Sequence, residues 1–183
     1  GPAGSQVAYR LAGQGYDVAV LGKKEPGSQV CCTGIISQVC ANAFAIDEGT
    51  ILGRVRSARI FAPSGKLIEL WRRENQACII NRSAFDVSMA NRAQSNGAQY
   101  MPSSPAKALK VEGDRVVVEL TRGEVNLKLE ARAAVVATGF GTRLVEGLGK
   151  IGDFVIGAQA EVETRDIDEV EVYLGQETAP GFF

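Results

Sequence analysis

Apolar positions recur along this chain first with the period of a helix and then with that of strands. Ala3, Val7, Ala8, Leu11 and Ala12 share one helical face and predict a helix over 2–14, which Gly15 stops. Val18–Leu21 is a short apolar run closed by Gly22, the pattern of a buried parallel strand. Residues 23–50 begin as loop, with Pro26, Gly27 and Gly34, and turn helical over Ser37–Ala45. Arg56–Pro63 and Lys66–Leu70 flank Pro63-Ser64-Gly65 and predict a hairpin. Cys78–Ile80 reads as a short strand. Ser83–Asn96 reads as a helix with Phe85, Met89 and Ala93 in its core stripe and Gly97 at its end.

The second half of the pattern is mostly strand. Tyr100–Met101 is a short candidate. Ala108–Val111, Arg115–Leu120 and Glu124–Leu129 form an antiparallel meander, with turns at Glu112-Gly113-Asp114 and Arg122-Gly123. Ala133–Ala137 reads as a buried strand, and Phe154–Val162 and Val170–Leu174 alternate like sheet strands. A strand-turn-helix front, an inserted hairpin and a meander-plus-strand rear do not make a simply alternating doubly wound sheet.

Composition narrows the chemistry. The 183 residues carry 20 basic and 21 acidic side chains, with no long run of one sign. Nucleic acid is thereby excluded as the main partner, because phosphate binding needs clustered Lys and Arg. The chain has no histidine, so Ser–His and Cys–His nucleophilic catalysis are excluded within it. Cys31, Cys32, Cys40 and Cys78 form no C-x-x-C pair and fit no common zinc spacing. They are expected to be free thiols of a reducing, cytoplasmic compartment, and no metal site is expected. No apolar stretch is long enough to span a bilayer.

The opening Gly1-Pro2-Ala3-Gly4-Ser5 carries the strongest chemical signal. Followed by a helix and a strand, it matches the back half of a G-x-G-x-x-G dinucleotide fingerprint, with Gly1 and Gly4 as second and third glycines. Glycine lets backbone N–H groups approach a pyrophosphate, and the helix N-terminus stabilises its charge. The strand and first glycine of the fingerprint are expected to precede Gly1, so the chain reads as a fragment beginning inside its own cofactor site. The acid that usually closes the fingerprint, on a ribose hydroxyl, is replaced by Gly22; the nearest carboxylate is Glu25, three positions on. A second signal is Ala137-Thr138-Gly139, where a strand turns past small residues.

Four segments together resemble the geranylgeranyl reductase family, within the FAD-dependent oxidoreductases built like p-hydroxybenzoate hydroxylase. They are Gly1-Pro2-Ala3-Gly4-Ser5, Cys32-Thr33-Gly34-Ile35-Ile36-Ser37, Asn81-Arg82-Ser83-Ala84-Phe85-Asp86 and Ala137-Thr138-Gly139-Phe140-Gly141. Ala179-Pro180-Gly181-Phe182-Phe183 resembles the stretch before the family's Trp-containing substrate motif. The resemblance implies an α/β fold: a Rossmann-like FAD-binding domain with an antiparallel meander, plus the start of a β-sheet substrate domain. The expected division is 1–50 and 77–150 for FAD, 51–76 and 151–183 for substrate.

The resemblance also implies the site. Cofactor contacts fall on Gly1, Pro2, Ala3, Gly4, Ser5, Gly22, Lys23, Cys32, Thr33, Gly34, Arg82, Ala106, Ala137, Thr138 and Gly139. Cys32 is the candidate catalytic residue, a thiol lining the pocket or supplying a proton, against the alternative of a small packed residue. Arg82 either faces the pyrophosphate or pairs with Asp86 at i+4. Cys31, Cys40 and Cys78 are expected to pack.

The implied activity is reduction of C=C bonds in a polyprenyl chain, with FAD as carrier and NAD(P)H or another reductant as donor. An isoprenoid lipid substrate implies contact with a membrane surface. Two other readings stay open: an FAD-dependent monooxygenase or halogenase of the same fold, and a non-catalytic nucleotide-binding module.

Overall fold

The computed structural model of the chain describes residues 1–139, 144, 157–160, 163 and 169–175. In chain order it shows α1 (Pro2–Gly13), β1 (Ala19–Leu21), β2 (Ile35–Ser37), α2 (Gln38–Ala43), a 3-10 turn (Glu48–Thr50), β3 (Ile51–Val55), β4 (Ser57–Phe61), β5 (Leu67–Trp71) and β6 (Ala77–Ile80). It continues with α3 (Arg82–Ser95), β7 (Gln99–Met101), β8 (Ala106–Glu112), β9 (Arg115–Arg122), β10 (Val125–Ala131) and β11 (Val170–Tyr173). These divide into two compact units, Gly1–Val30 with Arg82–Ile156, and Cys31–Asn81 with Gly157–Phe183.

Small residues hold the first unit together. Ala8, Ala12, Ala93 and Ala98 form a buried cluster, with Tyr9, Val18, Val20 and Tyr100 packed against it. Alanine on both helices lets α1 and α3 approach closely. Arg92 then lies 4.9 Å over the Tyr9 ring, and the Asn96 amide donates to the Tyr9 carbonyl at 3.2 Å. The predicted stripe of α3 is buried: Phe85 and Met89 point inward beside Ala93. β1 runs parallel to β7, Ala19 opposite Gln99 and Leu21 opposite Met101. β8, β9 and β10 form the predicted meander. Gly113 and Gly123 take φ of 64° and 60° in its turns, where a side chain would be strained.

The second unit contains two small sheets, ordered β2-β6-β3 and β11-β4-β5. In the first, β6 pairs antiparallel with both neighbours, and Cys78 at its centre is fully buried. In the second, β4 and β5 make the predicted hairpin, and β11 lies parallel to β4.

Two expectations change. Ala133–Ala137 is irregular, and Val135 is 62% exposed. No strand among the described residues pairs with this segment, and an unpaired extended stretch leaves its side chains to solvent. β2 and β3 were not foreseen, because each is short and lies where Gly34 or Gly53 interrupts the apolar pattern. The compact units divide at Val30 and Asn81, because the pairing of β2 and β3 with β6 draws 35–37, 51–55 and 77–80 into one sheet. Val170–Tyr173 is the predicted strand. Most of Phe154–Val162, together with Phe140-Gly141 and the Ala179–Phe183 segment, lies outside the described residues.

Candidate functional site

The N-terminus of α1 is chemically bare. Gly1 occupies the N-cap position, no side chain caps the helix, and its first turn has no acidic residue. By contrast, Ser37 Oγ accepts from Cys40 N at the start of α2, and Asp47 Oδ1 accepts from Gly49 N at the 3-10 turn. Pro2 has no N–H, and Ser5 N already donates to Gly1 O at 3.1 Å. The N–H groups of Ala3 and Gly4 are therefore the free donors at this end. They sit at the positive end of the helix macrodipole with no acidic residue in the first turn, an arrangement electrostatically suited to an anion.

The structure brings two of the sequence signals together here. A Cβ on Gly4 would lie 3.4 Å from the Cβ of Ala137. The first turn of α1 thus packs directly on the segment that leads to Thr138 and Gly139. Gly139 takes a φ of 71°, the left-handed conformation that favours glycine. Ser5 is buried beneath this turn, and the Tyr100 hydroxyl donates to its Oγ at 2.8 Å. Burial pushes the Tyr100 phenol above its ordinary pKa, and the bond to Ser5 works against that rise. Sequence reasoning missed Tyr100 as part of this end of the unit. The structure reveals it by pairing Tyr100 with Val20 in the parallel β1–β7 ladder.

At the tip of β1, Gly22 is locked by backbone bonds: Gly22 N donates to Met101 O, and Ser104 N donates to Gly22 O. A Cβ at Gly22 would stand 3.0 Å from the carbonyl of Lys24. The turn is thus built tightly around glycine. Lys23 and Glu25 are exposed, and Lys24 bonds Gln29. Ser104, fully buried, was also missed. Ala106 begins β8, half-buried, at an irregularity in the ladder with β9.

Arg82 opens α3 and is engaged with Asp86, Nη2 to Oδ1 at 3.0 Å and Nε to Oδ1 at 3.2 Å. Asp86 is buried, as expected of a carboxylate supporting the first turns of its helix. The remaining expected positions belong to the second unit. Cys32 and Thr33 are exposed, and Gln159 Nε2 donates to the Cys32 carbonyl at 3.2 Å. Gly34 is buried with φ of 76°, and a Cβ there would fall 2.4 Å from Ile80 O. Cys31 is exposed and not packed, Cys40 is half-buried, and Cys78 is the core thiol of the set. Cys31 and Cys32 stand in the loop before β2, where no strand among the described residues covers them.

No family model matches the chain. It is 28% identical to digeranylgeranylglycerophospholipid reductase of Methanocaldococcus jannaschii, over 99% of this chain and 49% of that protein. It is 26% identical to geranylgeranyl diphosphate reductase of Rhodobacter capsulatus, over 100% of this chain and 48% of that protein. Its relatives are geranylgeranyl reductases. The chain spans about half the length of the curated relatives it matches.

Among solved structures it resembles a geranylgeranyl bacteriochlorophyll reductase-like protein of Thermoplasma acidophilum, with a TM-score of 0.79 and 25% identity. That match covers 96% of this chain and 48% of that one. The myxobacterial FAD-dependent halogenase CndH follows at a TM-score of 0.65 and 20% identity, over 80% of this chain and 37% of that one. These likenesses show the fold, a Rossmann-like α/β unit with an antiparallel meander joined to a β-sheet unit. Among the described residues no helix is long and apolar enough to cross a membrane.

Proposed function

We propose that this chain is part of an FAD-dependent reductase acting on the C=C bonds of a polyprenyl lipid. The observation that carries the reading is the bare N-terminus of α1, packed on Ala137, in a chain similar along its whole length to geranylgeranyl reductases. Ala3 and Gly4 N–H groups would hold the pyrophosphate of FAD. Gly4 would seat the helix against 137–139. Lys23 and Gly22 would border the adenosine end, without the usual carboxylate. Thr33, Gly34, Ala106 and Arg82 complete the proposed binding set, and Cys32 is the proposed thiol of the reacting region. The flavin, when bound, supplies hydride chemistry at an apolar alkene.

What this chain's residues do is bind, orient and exclude water. An exposed thiol at Cys32 can hold a proton for the reacting carbon, whereas the buried Cys78 cannot reach a ligand. NAD(P)H or another reductant is the proposed electron donor. An isoprenoid lipid substrate, a cytoplasmic site of action and peripheral contact with a membrane surface belong to the same proposal.

The test is to purify the protein, measure flavin stoichiometry from its visible spectrum, and incubate the reduced form with geranylgeranyl diphosphate. A gain of one H2 per reduced double bond, read by mass spectrometry, is the expected product. Halide incorporation that depends on oxygen would instead favour the halogenase reading, since halogenases share the fold. A colourless protein that takes up no FAD would refute the flavoenzyme.

A further inference from the structure

The β4–β5 hairpin has two unlike ends. Ser57 lies opposite Trp71 in its ladder, Ala58 opposite Leu70 and Ile60 opposite Ile68. One step beyond Ser57, at the open end, stand Arg56 and Arg72. They are joined by a backbone bond from Arg72 N to Arg56 O of 2.9 Å. Side chains alternate between faces, so both arginines share a face with Ala58, Leu70, Ile60 and Ile68. β11 extends this face with Val170 and Val172, opposite Ala58 and Ile60. Beyond the two arginines, every position named on this face is apolar.

Two like charges directly across an antiparallel pair repel one another. Arg54 of this unit pairs with Glu48, and Arg59 with Glu171. Neither Arg56 nor Arg72 has a carboxylate partner among the described residues. Instead they flank a groove of about 270 Å³, lined by the apolar Val55, Ala58 and Leu70 and by the polar Ser57 and Gln76. Leu70 and Ile68 remain 46% and 47% exposed. At about 3.3 Å per residue the run from Arg56 to Ile60 measures about 13 Å. That is the reach of an extended chain.

We propose that the open end of the β4–β5 hairpin binds the head of a prenyl phosphate or diphosphate. Arg56 and Arg72 contact its phosphate oxygens, and the apolar face beyond them carries the first part of the chain. Guanidinium groups suit phosphate because their forked donors match its oxygens. An anion between them also removes the repulsion that the ladder imposes. The inference rests on the reductase reading for the nature of the lipid, and it names the part of the substrate that this sheet recognises.

Calorimetric titration of geranylgeranyl diphosphate, geranylgeraniol and inorganic pyrophosphate tests it, with both lipids below their micellar range. The protein is compared with Arg56→Gln, Arg72→Gln and Leu70→Ser. Geranylgeranyl diphosphate should bind more tightly than the alcohol. Each arginine variant should weaken the diphosphate by about 10- to 100-fold, the worth of a charge-assisted contact, and leave geranylgeraniol unchanged. Leu70→Ser should weaken both lipids and spare pyrophosphate.

Equal affinity for alcohol and diphosphate overturns the proposal, as do arginine variants that bind the diphosphate normally. Pyrophosphate binding as tightly as the lipid would reduce the groove to a simple anion site and overturn it as well. Binding to phosphatidylglycerol vesicles but to no dispersed lipid would make the face a membrane contact, with the same consequence. Because the titrations need no flavin, they fail separately from the reductase reading. Normal flavin content and alkene reduction with indifferent arginine variants would sink the head-group site alone.

Discussion

Gly34 and Gly65 have nearly the same backbone conformation, with φ of 76° and 79°, yet their surroundings differ completely. A Cβ on Gly65 would meet nothing within 4 Å, whereas one on Gly34 would sit 2.4 Å from Ile80 O and 3.5 Å from Ile80 N. Both lie in the second unit. Alanine at either position therefore carries the same left-handed penalty, about 1–2 kcal/mol. At Gly34 it carries a second cost. The chain must move away from β6, straining the bond from Ile80 N to Gly34 O, now 2.9 Å. Overpacking of this kind costs about 1–3 kcal/mol more, so Gly34→Ala should lose about 2–5 kcal/mol in all. With a urea slope of about 2 kcal/mol/M, the midpoint should fall by about 0.5–1 M for Gly65→Ala and about 1–2.5 M for Gly34→Ala. Fluorescence of Trp71, the one tryptophan of the chain and a member of this unit, reports the transition. Equal shifts for the two variants would refute the argument that β6 holds Gly34 as glycine.

Four other outcomes are expected. Gly4→Val should abolish flavin retention, because its branches would press on Ala137, already 3.4 Å from a bare Cβ; unchanged visible absorbance after purification would count against the placement of the site. Under native conditions, a chromogenic disulfide reagent should modify the exposed Cys31 and Cys32 quickly and the buried Cys78 only on unfolding; fast loss of Cys78 would contradict its burial. Cys32→Ala should lower alkene reduction while leaving the melting temperature near that of the parent, and Cys78→Ala should do the reverse, so a shared phenotype would end the distinction. The raised pKa of Tyr100 means that the folded chain keeps its phenol proton longer than the unfolded chain does. That contribution is fully present below about pH 10 and is lost as pH rises through the folded value, so Tyr100→Phe should flatten the alkaline fall in stability measured by urea titration.

The elements legible in the sequence were those whose burial is set locally. α1 and α3 present alanines and one apolar stripe at helical spacing, and each ends at a glycine with positive φ, Gly15 and Gly97. The meander announced itself through Gly113 and Gly123 in its turns. β2 and β3 escaped because their partner, β6, lies far along the chain, and a three-residue strand such as Ile35–Ser37 has no period of its own to read. Pairing over such separations is a tertiary decision.

The candidate site divides along the same line. The glycines at the start of α1 are legible as backbone features, the start of a helix and a close approach to Ala137, because backbone geometry follows from residue type. Gly22 was readable only as a missing acid. What the sequence did not convey is that any side chain at this position would crowd the Lys24 carbonyl, whose oxygen lies 3.0 Å from the place a Cβ would occupy. Restoring a carboxylate there would thus disturb the bonds that Met101 and Ser104 make to Gly22. The absence of the acid and the tight closure of this turn are one feature. A ribose contact at this strand tip would require a different path for residues 22–24, so in the proposed site the contacts to the nucleotide are assigned to the α1 end of the unit rather than to Gly22.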